Sequence, residues 1–535
     1  MEIPSVKFLH NPLWPIIMLI SGVVMVLYQS IGFDFQYMPG DLGDGRFNNY
    51  ILEHGYRYLL GLENSFWNAP FMFPEKDAIT YSDNLIGGLP IYAFFRIAFD
   101  RETAFQCWYL SLIVLNFLGG FYALKKLDFS NYSSSMGAFI YAFSLIILLQ
   151  TGHIQLLVRF SAPLSIAYFY LWLRDNKVNY LYFSSAFLVV QFYCAIYLGY
   201  FLLYALIFVF IAFMLLERKW DRLTNLFSKN NWIKTILVNS LVIVLLGLLL
   251  YPYYIRSANG SYPPPEELKS MLPRIWSYVY CTSNSELWGW TSSLFNEYVI
   301  PKGLPIHELA IFIGFIPFLF FALALIYYRS NKLVKLVTLS LLLFFILTTS
   351  FFDFSIYVHV VKYIPGAQAV RAFARIMVIF MFFWCIISGF FLDNFFSKIT
   401  LAKLFLLFLL PIFLLLDNIQ KAQTYVSYKS ESKERCKNLV DKFNMANSEK
   451  STIIAFCYQF KTTDFHDLIH NHLDAMMASQ IVNVPCINAY TARFPDEYLP
   501  YFFKPDSSTL RYWINSEHLK KINKSINKDQ LLIIE

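Results

Sequence analysis

The stretch 199–216, GYFLLYALIFVFIAFMLL, contains no charged residue and decides the class of fold. As an α-helix, a segment of this length covers about 27 Å, close to the roughly 30 Å of hydrocarbon in a bilayer. After Glu217 come the basic residues Arg218 and Lys219, and another apolar block, 179–196, precedes the stretch. The stretch therefore predicts one membrane-spanning helix within a series of such helices.

Apolar blocks of similar length recur along the chain and predict an α-helical polytopic membrane protein. Only 15% of the residues are charged, against about 25% in soluble domains. Pro12 and Pro15, with no cleavage-type sequence after Ser30, favour a retained first helix over a signal peptide. Eleven spans are predicted: 13–31, 104–124, 134–150, 154–173, 179–196, 199–216, 233–253, 306–328, 334–352, 371–396 and 400–417.

The net charge of +7 reflects membrane topology. Most Lys and Arg lie in short connections between apolar blocks, as the positive-inside rule requires of cytoplasmic loops, so nucleic acid is not an expected partner. With a cytoplasmic N-terminus, every inside connection is basic. The segments 32–103, 254–305 and 353–370, and everything after 417, then lie on the outer side.

The change of composition after residue 417 divides the chain into two predicted domains. Residues 1–417 form the membrane module, and 418–535 form a small outer α/β domain with mixed charge. In that domain 452–457, 484–487 and 531–534 are predicted strands and 465–480 a helix. Cys457 and Cys486 are candidates for one disulfide, because an outer domain faces an oxidising compartment.

Outer loop 32–103 carries the most informative motif, PGDLGDGRFNNY at 39–50. Its glycines let the backbone approach a polar headgroup, and Asp41 or Asp44 can act as a general base or bind a divalent cation. Alternatively, the two carboxylates cap a turn and a helix, with Arg46 as a surface partner. The loop also predicts two interfacial helices, 44–60 and 85–99.

Other ionisable residues are predicted at the outer ends of the spans. Charges near a bilayer are costly and usually face a cavity or each other. We therefore expect Asp41, Asp44, His153, Glu308, Arg371 and Arg375 to converge on one outward-facing site. The full set of predicted substrate-binding residues is Arg46, His54, Arg57, Asp83, His153, Arg159, Glu308, Arg371 and Arg375.

Each of these residues also has a simpler interpretation. His153 can cap a helix at the interface, and Arg159 can extend to the lipid headgroups. Arg371 and Arg375 are four residues apart and are predicted on one helical face, where they can grip a substrate phosphate or anchor to phospholipids. A base beside arginines favours attack on a sugar carbon that bears a lipid phosphate, since the arginines neutralise the departing phosphate.

Several motifs resemble C-type (GT-C) membrane glycosyltransferases that use polyprenyl-phosphate sugars, in particular a poorly characterised bacterial multipass group. The motifs are Gly40-Asp41 with Gly43-Asp44, Arg46-Phe47, Leu52-Glu53-His54, Tyr56-Arg57, Ser65-Phe66-Trp67, Pro70-Phe71, Tyr81-Ser82-Asp83, Pro90, Gly152-His153, Gln155, Arg371, Ala374-Arg375, Leu473-Asp474-Ala475-Met476, Val484-Pro485 and Asn488-Ala489-Tyr490. They span nearly the whole chain.

The resemblance implies an inverting transferase of the bacterial inner membrane with a periplasmic C-terminal domain. The donor would be a polyprenyl-phosphate sugar held among membrane lipids, and the acceptor a cell-envelope glycan or glycolipid. Either Asp41 or Asp44 would be the catalytic carboxylate, with Asp44 slightly favoured. The sequence shows no compact metal-binding triad, and since some members of such families use a divalent cation and others do not, the resemblance leaves metal dependence open. A lipid-linked sugar flippase or a non-catalytic assembly subunit remain the alternatives.

Overall fold

The computed structural model describes most of the chain. The described residues are 8–40, 42–149, 151–257, 264–301, 303–352, 354–364, 367–398, 400–421, 426–446, 453–457, 465–522, 524–526 and 531–534. They are mostly helical, with four short strands among them.

The first half of the chain contains helices α1 to α11. Their bounds are α1 Leu13–Val26, α2 Asp44–Leu59, α3 Leu89–Arg96, α4 Arg101–Lys126, α5 Asn131–Phe143, α6 Leu145–Leu149, α7 Ala162–Asp175, α8 Val178–Cys194, α9 Ile196–Glu217, α10 Asp221–Leu226 and α11 Trp232–Ser257. A π-helical turn, Leu27–Ile31, extends α1, and 3-10 turns lie at Ala78–Tyr81 and Thr151–Leu157.

The second half contains helices α12 to α24. Their bounds are α12 Pro265–Ser270, α13 Trp290–Tyr298, α14 Ile306–Leu309, α15 Phe315–Tyr328, α16 Lys332–Thr348, α17 Ile356–Val360, α18 Met377–Phe395, α19 Leu401–Asn418, α20 Lys429–Ala446, α21 Phe465–Val482, α22 Leu499–Phe503, α23 Ser507–Ile514 and α24 Glu517–Lys521. Further 3-10 turns are Ile275–Tyr278, Val361–Tyr363, Ala367–Ala369, Phe373–Ile376 and Asp496–Tyr498.

Seven helical segments of the described chain are long and apolar enough to cross a membrane: Leu13–Ile31, Arg101–Lys126, Gly152–Asp175, Ile196–Glu217, Trp232–Arg256, Phe373–Phe395 and Leu401–Asn418. Two shorter apolar helices are Val178–Cys194 and Phe315–Tyr328. The protein is therefore built as a polytopic membrane protein, while the count of eleven spans stays a prediction. Phe373–Phe395 is almost wholly buried, whereas Trp232–Arg256 is almost wholly exposed, so the first is central and the second peripheral.

Among the predicted spans interrupted in the structure are 134–150 and 306–328. α5 ends before Ser144, which is extended, and five residues separate α14 from α15. Side chains at the end of α19 accept hydrogen bonds from the first N–H groups of the helices that follow the breaks. Asp417 accepts hydrogen bonds from the backbone N–H groups of Phe315 and Ile316, both at 2.9 Å. Asn418 accepts one from the Leu145 N–H at 2.9 Å. Because these caps come from distant residues, hydropathy alone predicts unbroken helices.

Loop 32–103 contains both predicted interfacial helices. α2 closely matches the predicted 44–60, but α3 is much shorter than the predicted 85–99. Leu85 has a positive φ of 55°, which interrupts the helical path. Gly87 lies so close to α8 that an added Cβ would be 2.6 Å from the Cys194 sulfur. The chain before α3 is therefore a tight turn and not a helix.

The segment after α19 packs onto this loop through two kinds of contact. Strand β1, Tyr37–Pro39, pairs antiparallel with β2, Val426–Tyr428. The backbone N–H of Phe73 donates to the Cys486 carbonyl at 3.0 Å. The loop and the C-terminal segment are thus joined across a long sequence separation, and the division at 417 into two domains stays a prediction.

The predicted strands of the C-terminal segment are found in part. β3, Ile453–Phe456, pairs parallel with β4, Leu531–Ile534. The predicted strand 484–487 is reduced to one bridge between Ile454 and Cys486. No disulfide joins Cys457 to Cys486.

Candidate active site

Four charged side chains from distant parts of the chain form one continuous series of contacts, here called the charge cluster: Asp44, His153, Glu308 and Arg375. The Asp44 Oδ2 atom is 2.7 Å from His153 Nδ1, and His153 Nε2 is 3.2 Å from Glu308 Oε1. Arg375 Nε donates to Glu308 Oε2 at 2.8 Å, and a second guanidinium nitrogen donates to Oε1. The structure thus brings together four of the six residues expected to converge.

Local backbone structure aims these side chains at each other. Asp44 is the first residue of α2, and the preceding Gly43 is the N-cap position, so the Asp44 carboxylate does not cap the helix. The positive end of the helix dipole favours a negative charge at this position. His153 lies at a kink in its 3-10 turn, with φ −117° and ψ 64°. The capping interpretation of Asp44 is therefore wrong for this helix.

The cluster alternates negative and positive charge. Both ring nitrogens of His153 contact carboxylate oxygens. Because an ionised carboxylate only accepts hydrogen bonds, these contacts favour a doubly protonated, positively charged ring. Burial alone would raise the pKa of the Asp44 carboxyl. The hydrogen bond and charge of His153, the hydroxyl of Tyr490 and the charge of Arg375 outweigh burial and lower it. Asp44 is therefore ionised at neutral pH.

The cluster is open to solvent at one end. The side chains of Asp44 and His153 keep 25% and 23% of their exposure, whereas Glu308 keeps 5% and Arg375 11%. Glu308 and Arg375 are therefore the enclosed part of the cluster, and Asp44 and His153 are its accessible part.

Tyr490, from the C-terminal segment, is a site residue that sequence reasoning missed. Its hydroxyl donates to Asp44 Oδ1, so each oxygen of that carboxylate has a different partner. Its ring packs edge-on against Phe47 of α2, with ring centroids 5.7 Å apart. Tyr490 belongs to the motif Asn488-Ala489-Tyr490, but only the folded chain reveals its distance to Asp44.

Asp83 was predicted at a depth similar to that of the cluster residues. Its carboxylate accepts a hydrogen bond from the Ile196 N–H at 3.3 Å and interacts with the charge of Arg375. Burial raises the pKa of the Asp83 carboxyl to about 7, against the opposing effects of the Ile196 N–H and the charge of Arg375. The charge of Arg375 favours the ionised form of both Asp83 and Asp44.

Three predicted binding residues of α2 lie away from the cluster. Arg46 is buried, 2.6 Å from Asp474, His54 hydrogen-bonds to the Phe66 carbonyl at 2.9 Å, and Arg57 pairs with Glu63 at 2.9 Å. The helical period explains the placement of the arginines, since residues two and thirteen positions after Asp44 are rotated about 200° and 220° from it. Arg46, His54 and Arg57 were predicted to share a site with Asp44, and the structure places them in other contacts.

Two further arginines are not part of the cluster. Arg159 is buried between helices, where it donates to the carbonyls of Tyr141 at 2.6 Å and Val378 at 3.1 Å, so it neither extends to headgroups nor contacts the cluster. Arg371 is half exposed and 3.4 Å from Glu267. Its predicted helical face shared with Arg375 is wrong, because α18 begins only at Met377. Asp41 lies outside the described residues.

A compact set of potential metal ligands overlaps the cluster, although the sequence showed none. One nitrogen each of His153 and His307 and one oxygen of Glu308 lie within 4.8 Å of one another. Imidazole and carboxylate suit Zn²⁺ and Mn²⁺. The ligand types therefore fit a divalent cation. In the present arrangement Arg375 contacts both oxygens of Glu308, so metal binding requires those contacts to rearrange.

Comparison with known proteins gives weak likenesses. No family model and no curated protein matches the chain. Two solved structures of the Archaeoglobus fulgidus oligosaccharyltransferase are similar at 13% identity, one in complex with Zn and sulfate and one tethered to an acceptor peptide. The first has a TM-score of 0.47 and covers 90% of this chain; the second has 0.49 and covers 96%.

This chain spans 62% of the first of those structures and 68% of the second. Likeness at this level does not establish a function, so the geometry of the cluster carries the functional argument.

Proposed function

We propose that the protein is a membrane glycosyltransferase that moves a sugar from a polyprenyl-phosphate donor to a cell-envelope glycan or glycolipid. The observation that carries the proposal is the charge cluster at the ends of the apolar helices, with Asp44 ionised and accessible. A donor of this type has a lipid tail, an anionic phosphate and a sugar. Apolar helices, the exposed guanidinium of Arg371 and the accessible carboxylate of Asp44 suit those three parts in turn.

The transfer proposed here inverts the sugar carbon. The acceptor oxygen forms a bond to that carbon as its bond to the phosphate oxygen breaks, and a carboxylate of loop 32–103 receives the acceptor proton. Polyprenyl phosphate leaves with the electron pair of the broken bond. Among the described residues, Arg371 pairs with Glu267 in an exposed contact, and it can exchange that partner for the departing phosphate.

A divalent cation is a further part of the proposal. His153, His307 and Glu308 would hold it, and when bound it would supply positive charge next to the phosphate. In either case Asp44 keeps its negative charge at the mouth of the cluster, and Tyr490 and His153 fix its orientation.

The proposed location is the bacterial inner membrane, with the N-terminus in the cytoplasm and the cluster on the periplasmic side. The basic connections between the apolar blocks support this orientation. An outward-facing cluster would meet donor lipids that have already crossed the membrane, as well as the growing envelope.

The test compares envelope glycans of a deletion strain complemented with variants, by mass spectrometry. Asp44→Asn and Asp41→Asn are made singly, and Asp128→Asn is the matched control because Asp128 is an exposed aspartate in the connection after α4, which is predicted to be cytoplasmic. We expect Asp44→Asn to reproduce the deletion phenotype with normal membrane insertion, and the control to restore the parent glycan. Full activity of both Asp44→Asn and Asp41→Asn would reject the transferase. Movement of a lipid-linked sugar across vesicles without product would favour a flippase.

A further inference from the structure

An open groove lies at the end of α8 that is opposite loop 32–103. Its volume is about 440 Å³, and it is lined by residues of the connection before α8, the start of α8 and the connection before α11. The other end of α8 contacts the loop, because the Gly87 N–H donates to the Tyr193 carbonyl at 2.7 Å. Since α8 has 17 residues, the groove and the loop are separated by about 25 Å along the helix. The groove therefore lies on the side of the membrane predicted to be cytoplasmic, away from the charge cluster.

Three asparagines form a connected polar wall of the groove. The Asn225 side-chain amide donates to the Asn176 carbonyl at 3.1 Å, and the Asn231 amide donates to the Asn225 carbonyl at 3.1 Å. Asn179 also lines the groove and is exposed, and within the described residues its side chain has no hydrogen-bond partner. The wall is thus formed without a ligand, and the amide of Asn179 is available to one.

Positive charge exceeds negative charge around the groove. The segments 174–179 and 217–234 carry the basic residues Arg174, Lys177, Arg218, Lys219, Arg222, Lys229 and Lys234 and the acidic residues Asp175, Glu217 and Asp221. Each of the three acidic residues already forms an ion pair, with Arg174, Lys332 and Arg222 respectively.

Three lysines remain close to the groove. Lys177 lines it, and Lys229 and Lys234 lie two residues before and three residues after Asn231 of the polar wall. All three lysines are exposed, and in the described part of the chain Lys229 and Lys234 have no ion-pair partner. The groove is therefore suited to an anionic group.

Exposed apolar side chains lie beside this charge. Phe183 lines the groove, and Phe227 and Trp232 are exposed next to it in the chain. The Tyr182 hydroxyl forms a hydrogen bond with Thr235 Oγ1 at 2.9 Å, which joins the start of α11 to α8. From there the apolar surface of α11 continues along the span, almost wholly exposed. A small soluble anion would use none of this apolar surface, whereas a ligand with an anionic head and apolar chains would use both parts.

We propose that the groove binds an anionic phospholipid of the cytoplasmic leaflet, with its phosphate near Lys177, Lys229 and Lys234 and its acyl chains along α11. Basic pockets between membrane helices on the cytoplasmic side bind anionic lipid headgroups. The topological role of basic connections requires charge alone, without a polar wall or exposed aromatic rings beside it. The inference goes beyond the proposed transferase and does not depend on it.

The experiment uses the full-length protein in a neutral detergent, and native mass spectrometry measures bound lipid as the lipid concentration rises. The probes are dioleoyl phosphatidylglycerol, dioleoyl phosphatidylcholine and glycerol 3-phosphate. Phosphatidylcholine has the same chains and a phosphate but no net charge, whereas glycerol 3-phosphate has the anionic head without the chains. Comparing the three probes separates a lipid site from a site for a soluble anion.

Two groove variants and one matched control are compared. The first groove variant combines Lys177→Gln, Lys229→Gln and Lys234→Gln. The second, Asn179→Trp, fills the groove without changing the charge. The control combines three exposed lysines of other connections predicted to be cytoplasmic, Lys126→Gln, Lys335→Gln and Lys398→Gln, so it loses the same charge on the same side. Melting temperatures in detergent with phosphatidylcholine verify that every variant is folded.

We expect the parent and the control to bind phosphatidylglycerol at least about tenfold more tightly than phosphatidylcholine. One basic residue near an anionic lipid surface contributes roughly fivefold in affinity, so the triple lysine variant of the groove should lose at least about tenfold. Asn179→Trp should also weaken the binding of phosphatidylglycerol, because the headgroup loses its space. An excess of glycerol 3-phosphate should leave the lipid bound.

Four results would overturn the inference. They are equal binding of phosphatidylglycerol and phosphatidylcholine by the parent, an equal loss of affinity in the control and in the triple lysine variant of the groove, parent affinity in both groove variants, and displacement of the lipid by glycerol 3-phosphate. The second would show attraction by charge without a site, and the last would assign the groove to a soluble anion. Since no sugar transfer is measured, the failure of this inference leaves the transferase proposal untouched.

Discussion

Helix α2 carries two charged sets on opposite sides, and they differ in exposure. On one side Asp44 keeps 25% of its side-chain exposure within the charge cluster. On the other, Arg46 and Asp474 form an ion pair at 1% and 6% exposure, and Arg435 contacts Asp474 at 2.7 Å. The accessible set can meet a ligand, while the enclosed set attaches the helix to α21. Charge alone therefore does not identify a site.

The largest expected effect is a loss of sugar transfer, and it tests the accessible side of α2. Asp44→Asn removes the ionised carboxylate, and we expect transfer to fall at least about 10³-fold, within the range of single catalytic groups. Stability should fall much less than in a variant of the enclosed pair, because Asp44 is partly solvated. Transfer assays and thermal unfolding of the same preparation check both parts. If Asp44→Asn kept the parent rate of transfer, the accessible side of α2 would not differ in function from the enclosed side.

A variant of the enclosed ion pair should lose stability and keep its transfer activity. Asp474→Asn leaves the buried Arg46 without its carboxylate partner, and we expect a loss of about 3–5 kcal/mol of stability. The rate of transfer, divided by the fraction of molecules that are folded, should stay near the parent value. The double variant Arg46→Met with Asp474→Leu is the control and should recover most of the stability. A selective loss of transfer in Asp474→Asn would place the pair in the site.

Tyr490 joins the C-terminal segment to the accessible side of α2. Tyr490→Phe keeps the ring packing against Phe47 and removes the hydroxyl that donates to Asp44. A hydrogen bond to a charged group contributes about 1.5–3 kcal/mol, so we expect kcat to fall roughly tenfold or more. The comparison variant is Tyr512→Phe, an exposed tyrosine of α23. Equal activity of both variants would show that the C-terminal segment does not orient Asp44.

The smallest expected effect concerns stability and pH. The pKa of Asp83 is raised from 3.8 to about 7, so the folded protein binds this proton more tightly than the unfolded chain. Its contribution to stability is complete below the unfolded pKa and is lost as the pH rises to about 7. Asp83→Asn should therefore gain melting temperature relative to the parent between about pH 5 and about pH 8. If the difference in melting temperature between Asp83→Asn and the parent stayed constant across this pH range, the raised pKa of Asp83 would be contradicted.

The sequence predicts features that depend on nearby residues. The length of apolar blocks locates the helices, and the amphipathic stretch 44–60 predicts α2. Asp44, His153, Glu308 and Arg375 were expected to converge because buried charges need partners. Those expectations rest on composition and on the position of each residue relative to the apolar blocks, and both can be read from one sequence.

The remainder depends on tertiary contacts. The breaks before α6 and α15 require Asn418 and Asp417 as caps, which hydropathy does not register. Arg46 was placed with Asp44 by proximity in sequence, whereas rotation around the helix turns it toward α21. Tyr490 reaches Asp44 only because β1 and β2 and the contacts around Cys486 bring the C-terminal segment onto loop 32–103.

The most direct test of the account measures sugar transfer by Asp44→Asn and Asp474→Asn side by side in vesicles supplied with polyprenyl-phosphate sugars. The account predicts no product from Asp44→Asn at normal folding, and parent-like product per folded molecule from the less stable Asp474→Asn. Product from Asp44→Asn at the parent rate, or loss of product only in Asp474→Asn, would contradict it.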